Sequence, residues 1–145
     1  MTIRPATLAD LPAVERMLLA FHAESRAPVA SDAYARSHFA ATLSALVASP
    51  RGYAAVLDLD GPRGALLGMA AVSPLMPVLV ADELMWWVDP ASRGRWALAM
   101  LRHYEAWARA VGAAVVGVSA YDERGCALHA QRGYEPFERK FGKAA

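Results

Sequence analysis

Cysteine is almost absent from this chain, which has one among its 145 residues, Cys126. A lone cysteine closes no internal disulfide, so nothing points to an oxidising compartment. Charge of one sign is also missing. Fifteen Lys and Arg stand against fourteen Asp and Glu, a net charge of +1 with only 20% of residues charged. The basic residues are scattered, with a mild cluster only at Arg139, Lys140 and Lys143. That balance argues against a nucleic-acid or anionic-membrane partner. No long apolar run is present either. The stretch from Leu66 to Val80 is interrupted by Gly68, Ser73, Pro74 and Pro77, whereas a bilayer span needs ~20 apolar residues. The opening Met1-Thr2-Ile3-Arg4-Pro5 lacks the apolar core of a secretory signal. The expected location is the cytoplasm. His22, His38, His103 and His129 show no metal-ligand spacing, so no metal site is expected. Cys126 has no adjacent histidine–acid pair and reads as a small buried apolar residue, not a nucleophile.

What is present is apolar material: 56% of residues are hydrophobic, enough for the core of one domain. Ile3 to Ala6 reads as extended, since a residue before proline is biased away from helix. Thr7 and Asp10 fit a capping box, or Asp10 is itself the N-cap with Pro12 in the first turn. A helix follows, with Leu11, Val14, Leu18 and Phe21 at helical spacing and Glu15, Arg16 and Glu24 turned to water. Pro28 to Ser31 breaks it, and Ser31 is the expected N-cap of a second helix marked by Tyr34, Phe39, Leu43, Leu46 and Val47. Ser49-Pro50 and Gly52 end that helix.

Tyr53 to Leu59 and Ala65 to Val72 read as a hairpin around the turn Asp60–Gly64. Val80 to Val88 is a further strand, apolar enough beyond Asp82 and Glu83 to be covered on both faces. After the loop Asp89–Arg95, the positions Trp96, Met100, Tyr104, Trp107 and Val111 trace one face of a helix that Gly112 stops. Ala113 to Ala120 is a buried strand, Asp122 caps a short helix ending at Arg132-Gly133, and Tyr134 to Phe141 is a last strand. The expected fold class is α/β with a mixed sheet, in the order β-α-α-β-β-β-α-β-α-β.

The strand–loop–helix unit around Asp89–Arg95 carries a chemical suggestion. A helix N-terminus leaves backbone N–H groups unpaired and partly positive. Gly94 lets the backbone approach an anion closely, and Arg93 and Arg95 add cationic donors. A pyrophosphate could bind there without a metal. A solvated turn is the alternative for the same residues.

Several segments together resemble the GNAT superfamily of N-acetyltransferases over nearly the whole chain. The opening Ile3-Arg4-Pro5-Ala6-Thr7 with Asp10-Leu11 is similar to the start of many members. Glu83-Leu84-Met85-Trp86-Trp87-Val88-Asp89-Pro90 is similar to the central strand, and Arg93-Gly94 to part of the pyrophosphate loop. Asp122 through Gly133-Tyr134 resembles the segment after the following strand. The Trp-Trp-Val-Asp-Pro and Gly-Tyr-Glu-Pro pieces most resemble small bacterial and phage-encoded members. The chain departs from the pattern at Ala91 and Trp96, where the loop usually has Gln or Arg and Gly or Ala. Asp122 and His129 stand where members often carry Asn and Tyr.

The resemblance implies transfer of an acetyl group from acetyl-CoA to an amine, on a small molecule or a protein, by direct attack in a ternary complex. No metal is implied. Trp87 and Val88 would offer backbone groups to the pantetheine arm. Arg93, Gly94, Arg95, Trp96 and Ala97 would cradle the pyrophosphate, with Asp122 also on the cofactor side. Glu83 is the candidate base, because an acid in an otherwise buried strand is desolvated and made more basic; a solvated strand start is the alternative. Asp82 competes, but strand alternation sends it to the opposite face. His129 is the candidate acid for the thiolate, and Tyr134 and Tyr121 are further hydroxyls nearby in sequence. Trp86 and Trp87 should point to opposite faces. A silent domain of the same fold, acting by CoA binding or assembly, is the other reading, and the hydrophobic content suits a homodimer. The acceptor would be selected by the first two helices and the loop Ser73–Val80.

Overall fold

Buried side chains on both faces of the strands set the architecture. A computed structural model describes residues 2–25, 35–137, 141 and 143. Among them the sheet runs in the order β1-β2-β3-β4-β5, where β1 is Thr2–Pro5, β2 Gly52–Asp58, β3 Pro62–Val72, β4 Leu79–Val88 and β5 Val115–Gly117. The first four strands pair antiparallel, and β5 joins β4 in parallel. Helices α1 (Leu11–Ser25) and α2 (Arg36–Ala48) precede β2. Helix α3 (Arg95–Ala110) connects β4 to β5, and α4 (Glu123–Gln131) follows β5.

Val56, Ala65, Leu67, Met85 and Trp87 pack against Val14 and Met17 of α1 and Phe39, Leu43 and Leu46 of α2. On the other face Ala55, Leu57, Leu66, Ala70 and Ala81 meet Met100, Leu101, Tyr104 and Ala108 of α3. Burial on both sides of the sheet follows directly, and it explains why the strands read as near-continuous apolar runs. Trp86 and Trp87 do fall on opposite faces, one with each core. The start of the chain is pinned by Arg4. Its guanidinium donates to both oxygens of Asp10 at 2.9 Å and, through Nε, to Asp58 at 3.0 Å. Asp10 also accepts from the Thr7 backbone N–H at 2.8 Å, which is the reciprocal half of the expected capping box.

Several expectations need correction. The strand expected over 134–141 is not formed in 134–137, and 138–140 lie outside the described residues. Tyr134 instead donates its N–H back to the His129 carbonyl at 3.0 Å, and Pro136 has no N–H to give a ladder. The strand Ala113–Ala120 shrinks to three residues, with Val115 37% exposed, because it pairs on one side only among the described residues. Cys126 is exposed on α4, not buried. Glu15 and Glu24 are half-buried instead of facing water, Glu15 through an ion pair at 2.9 Å with Arg36. The expected cap Ser31 and the helix position Tyr34 lie outside the described residues, and α2 begins at Arg36.

One irregularity controls everything near the site. Gly68 pairs with Glu83 and Leu67 with Met85, so Leu84 is an extra residue, a bulge in β4. Without it Glu83, Met85 and Trp87 would share the α1/α2 face. With it Glu83 lies opposite Gly68 on the α3 face, in step with Ala81, while Asp82 takes the other face. A Cβ at Gly68 would stand 2.9 Å from the Tyr104 ring and 3.0 Å from the Asp82 carbonyl oxygen. Gly68→Ala should therefore force Tyr104 off its seat and cost about 1–3 kcal/mol of stability, read from urea unfolding of the two proteins.

Candidate active site

The parallel pairing of β4 with β5 stops at Asp82↔Gly117. Beyond that point β4 continues to Val88 with no strand partner on its β5 side among the described residues, and the chain after β5 leaves the ladder. Glu83 is the next residue on β4, and its Oε2 accepts the Ser119 N–H at 2.9 Å. A side chain thus takes the place of a ladder rung. The carbonyl of the same residue, Ser119, is bonded to His129 Nε2 at 2.9 Å. A carbonyl only accepts, so Nε2 carries the proton. Glu83 and His129, 46 positions apart in sequence, are joined through the two backbone groups of one residue.

Burial raises the Glu83 carboxyl to about 7; the Ser119 N–H opposes the shift and the nearby Asp82 charge adds to it. His129 is buried, with its ring centroid 5.9 Å from that of Trp86 and 5.6 Å from that of Tyr134. Its Nδ1 is buried and has no partner among the described residues, as is the case for the Trp86 indole nitrogen. Tyr134 turns its hydroxyl away to Glu105 on α3 at 3.0 Å. Arg132 pairs with the other oxygen of Glu105 at 2.5 Å, which ties the end of α4 to α3. Burial and the Glu105 carboxylate push the Tyr134 phenol upward.

The expected anion loop lies at the far end of β4. Gly94 is the N-cap of α3, with φ +83 and no side-chain cap, and nothing lies within 4 Å of where its Cβ would be. A positive φ is what glycine tolerates and other residues resist. The N–H groups of Arg95, Trp96 and Ala97 open the helix, whose first turn carries no acid. An open, partly positive helix end beside two arginines fits a diphosphate. Trp96 packs its ring toward the α3 core, with the Arg95 guanidinium carbon 4.7 Å from the ring centroid, so its bulk is directed into the core. Asp122 accepts the Gly125 N–H at 2.7 Å and caps α4, as expected of it.

Arg93 makes contacts that no sequence pattern foretold. Its Nε donates to the Val88 carbonyl at 2.9 Å, and its Nη2 donates to both oxygens of Glu24, at 2.6 and 2.7 Å. Glu24 also accepts from the Trp87 indole N–H and the Tyr121 hydroxyl, each at 2.9 Å. Burial works against its charge, but bonds from Trp87, Arg93 and Tyr121 prevail and hold its carboxyl below the ordinary value. Burial and the Glu24 carboxylate raise Tyr121 to about 12. Helical periodicity put Glu24 on the wet face of α1, and periodicity does not register partners from β4, the following loop and the segment after β5.

An apolar cavity lined by Leu46, Val47, Tyr53 and Trp107 lies at the α2–α3 side, and none of the candidate residues borders it. Among the described residues no group of three His, Cys, Asp or Glu is placed to hold a metal ion. No helix among them is long and apolar enough to cross a membrane.

The parallel pair β4–β5 thus parts beside Glu83, and the end of β4 leads into the uncapped start of α3. The model of the acetyltransferase (GNAT) family matches residues 14–134, and the chain belongs to that family. Solved structures agree on the fold. A GCN5-related N-acetyltransferase from Ralstonia eutropha is 24% identical with a TM-score of 0.80, covering 97% of this chain and 96% of that one. An aminoglycoside antibiotic 6'-N-acetyltransferase from Acinetobacter haemolyticus is 18% identical with a TM-score of 0.69, covering 100% and 98%. A transcriptional regulator from Bacillus halodurans is 14% identical with a TM-score of 0.75, covering 97% of each. No curated protein matches the sequence significantly.

The raised Glu83 carboxyl has a measurable cost. An acid whose folded value is about 7, against an ordinary 4.5, holds an extra proton in the folded state across that range. Its favourable share of stability is complete below the unfolded value and is lost as pH climbs through about 7. Glu83→Gln keeps an acceptor for the Ser119 N–H but has no charge to bury. The stability difference between variant and wild type should shift in the variant's favour by up to about 3 kcal/mol from pH 4.5 to pH 8, by denaturant unfolding at several pH values.

Proposed function

We propose that this protein transfers an acetyl group from acetyl-CoA to a primary amine by direct attack within a ternary complex, with Glu83 as the base. The observation that carries the reading is the Glu83–Ser119–His129 arrangement at the point where β4 and β5 part. It places one acid of raised pKa beside the unpaired edge of β4.

Each requirement of acyl transfer has a candidate there. An alkylamine is protonated near neutral pH, with a pKa near ~10.4, and attacks only after losing a proton. Glu83, at about 7, takes that proton directly or through a water. The amine nitrogen bonds to the thioester carbon, the carbonyl oxygen gathers negative charge, and the C–S bond then breaks. Along β4 beyond Asp82 every second N–H turns away from β3, that of Val88 among them and that of Trp87 not, and these are the candidates for that oxygen and for the pantetheine arm. The diphosphate would rest on Arg93, Gly94, Arg95, Trp96 and Ala97.

The departing thiolate belongs to a thiol of pKa near ~8.5 and needs little help to leave. His129 Nε2 is committed to Ser119, so donation by this ring would come from Nδ1 of the imidazolium. The chief role we assign to His129 is to hold Ser119, whose N–H fixes Glu83. Tyr134, bonded to Glu105, braces α4 against α3. The acceptor is an amine on a small molecule or a protein. The first two helices and the tip of the β3–β4 hairpin, where Leu75 and Met76 are exposed, are the candidates for selecting it.

The test begins with thermal unfolding in acetyl-CoA, free CoA and ATP. Both CoA species should raise the melting temperature at millimolar ligand, by mass action on the folded state, and ATP should not. In turnover with an amine panel, kcat/KM should rise with pH across about 6 to 8 and fall by roughly 10²–10⁴ in Glu83→Gln. No shift with either CoA species would instead support a silent domain whose Arg93 is permanently held by Glu24.

A further inference from the structure

Around the Glu24 carboxylate the chain has built a site for a cation and filled it with its own. Two of the donors are neutral: the Trp87 indole N–H on β4 and the Tyr121 hydroxyl beyond β5, each at 2.9 Å. They fix the carboxylate from two sides of the cleft. Aromatic surface surrounds it. The Arg93 guanidinium carbon lies 5.9 Å from the Trp87 ring centroid, and Tyr121 meets Phe21 edge-on at 6.1 Å. A carboxylate among aromatic faces suits an ammonium or guanidinium group. Among the described residues the charged occupant is Arg93, at 2.6 and 2.7 Å from the two oxygens.

Arg93 is also part of the loop that, on the reading proposed above, receives the diphosphate. A diphosphate at the start of α3 carries more negative charge than one carboxylate and competes for the same guanidinium. Once it draws Arg93 away, Glu24 remains half-buried and ionised, held by two neutral donors alone. Solvent reaches about a third of the Glu24 side chain and screens its charge, so the loss of Arg93 is modest, and a replacement cation recovers it.

We propose that Glu24 binds a positively charged group of the acceptor, in the place that Arg93 vacates when the acetyl donor binds. The inference rests on the transferase reading and extends it: the acceptor carries a second positive charge besides the amine that is acetylated. Trp87 stands four residues from Glu83 along β4, about 13 Å of strand, and the two side chains leave opposite faces, so the two nitrogens need a long, flexible spacer. Donor and acceptor binding are coupled, and each strengthens the other by the same factor.

The experiment compares octane-1,8-diamine with 8-aminooctan-1-ol, which replaces the second ammonium by a neutral hydroxyl. Wild type should favour the diamine by about tenfold or more in kcat/KM, after allowing for its two equivalent amines. Glu24→Gln should bring that ratio to within about threefold. In melting experiments the diamine should stabilise the CoA-saturated protein more than the ligand-free one. Arg93→Ala, which leaves Glu24 in place, should show the diamine shift without CoA and guards against a Glu24 variant that fails to fold. A Glu24→Gln variant that keeps the wild-type ratio, or a diamine shift indifferent to CoA and to Arg93, overturns the proposal. Absence of any CoA shift in wild type is a separate failure: it removes the transferase reading and this inference with it.

Discussion

The hydrogen bond from the Ser119 N–H to Glu83 is the contact on which the site depends. Where two parallel strands diverge, each loses its ladder partners, and the backbone groups there turn to side chains or to water; Ser119 is exposed, and its N–H goes to Glu83. Here a carboxylate spans the gap. The bond stabilises the charged form of Glu83, yet burial prevails and leaves the carboxyl at about 7. The group that closes the end of the ladder is thereby poised for proton transfer near neutral pH. His129 holds the same residue from its carbonyl side, so a shift of α4 would be felt at Glu83 through one peptide unit.

At the other end of β4, Arg93 is the residue for which Glu24 and, on the proposed reading, a diphosphate would compete. In this structure its charge is satisfied internally by Glu24, and its Nε by the Val88 carbonyl. The open cradle at Gly94 and the helix-opening N–H groups remain available to an anion. An arginine already paired costs the cradle part of its attraction, because an arriving anion must break a charge-assisted bond before gaining one. That cost is also the means by which binding at the loop can be transmitted to α1.

Much of the fold was legible in the residues. The helix and strand positions, the capping box, the glycine stop after α3 and the split of Trp86 and Trp87 between two faces all follow from local periodicity and turn chemistry. The strand expected at Tyr134 was misjudged because local composition suited a strand while Tyr134 was claimed by Glu105 and the His129 carbonyl. Of the site, Glu83, His129, Arg93 and Gly94 were legible as residue types in a recognisable order. Glu24, Ser119 and the bonds that join them were not, since each depends on approaches from distant parts of the chain. Glu24 reads as one more polar residue on an amphipathic helix until Trp87, Arg93 and Tyr121 surround it.

The bulge at Leu84 reconciles these two ends. A regular strand would send Glu83 to the same face as Met85 and Trp87, into the core beneath α1 and α2, where an ionised acid would have no donor. One extra residue moves Glu83 to the α3 face, within reach of Ser119, and leaves Trp87 on the α1 face to receive Glu24. β4 therefore presents an acid on one face and an anchor for a second acid on the other. Gly68, opposite the bulge, has no side chain because the Tyr104 ring occupies that space. The bulge and this glycine together decide where the charge in the cleft can stand.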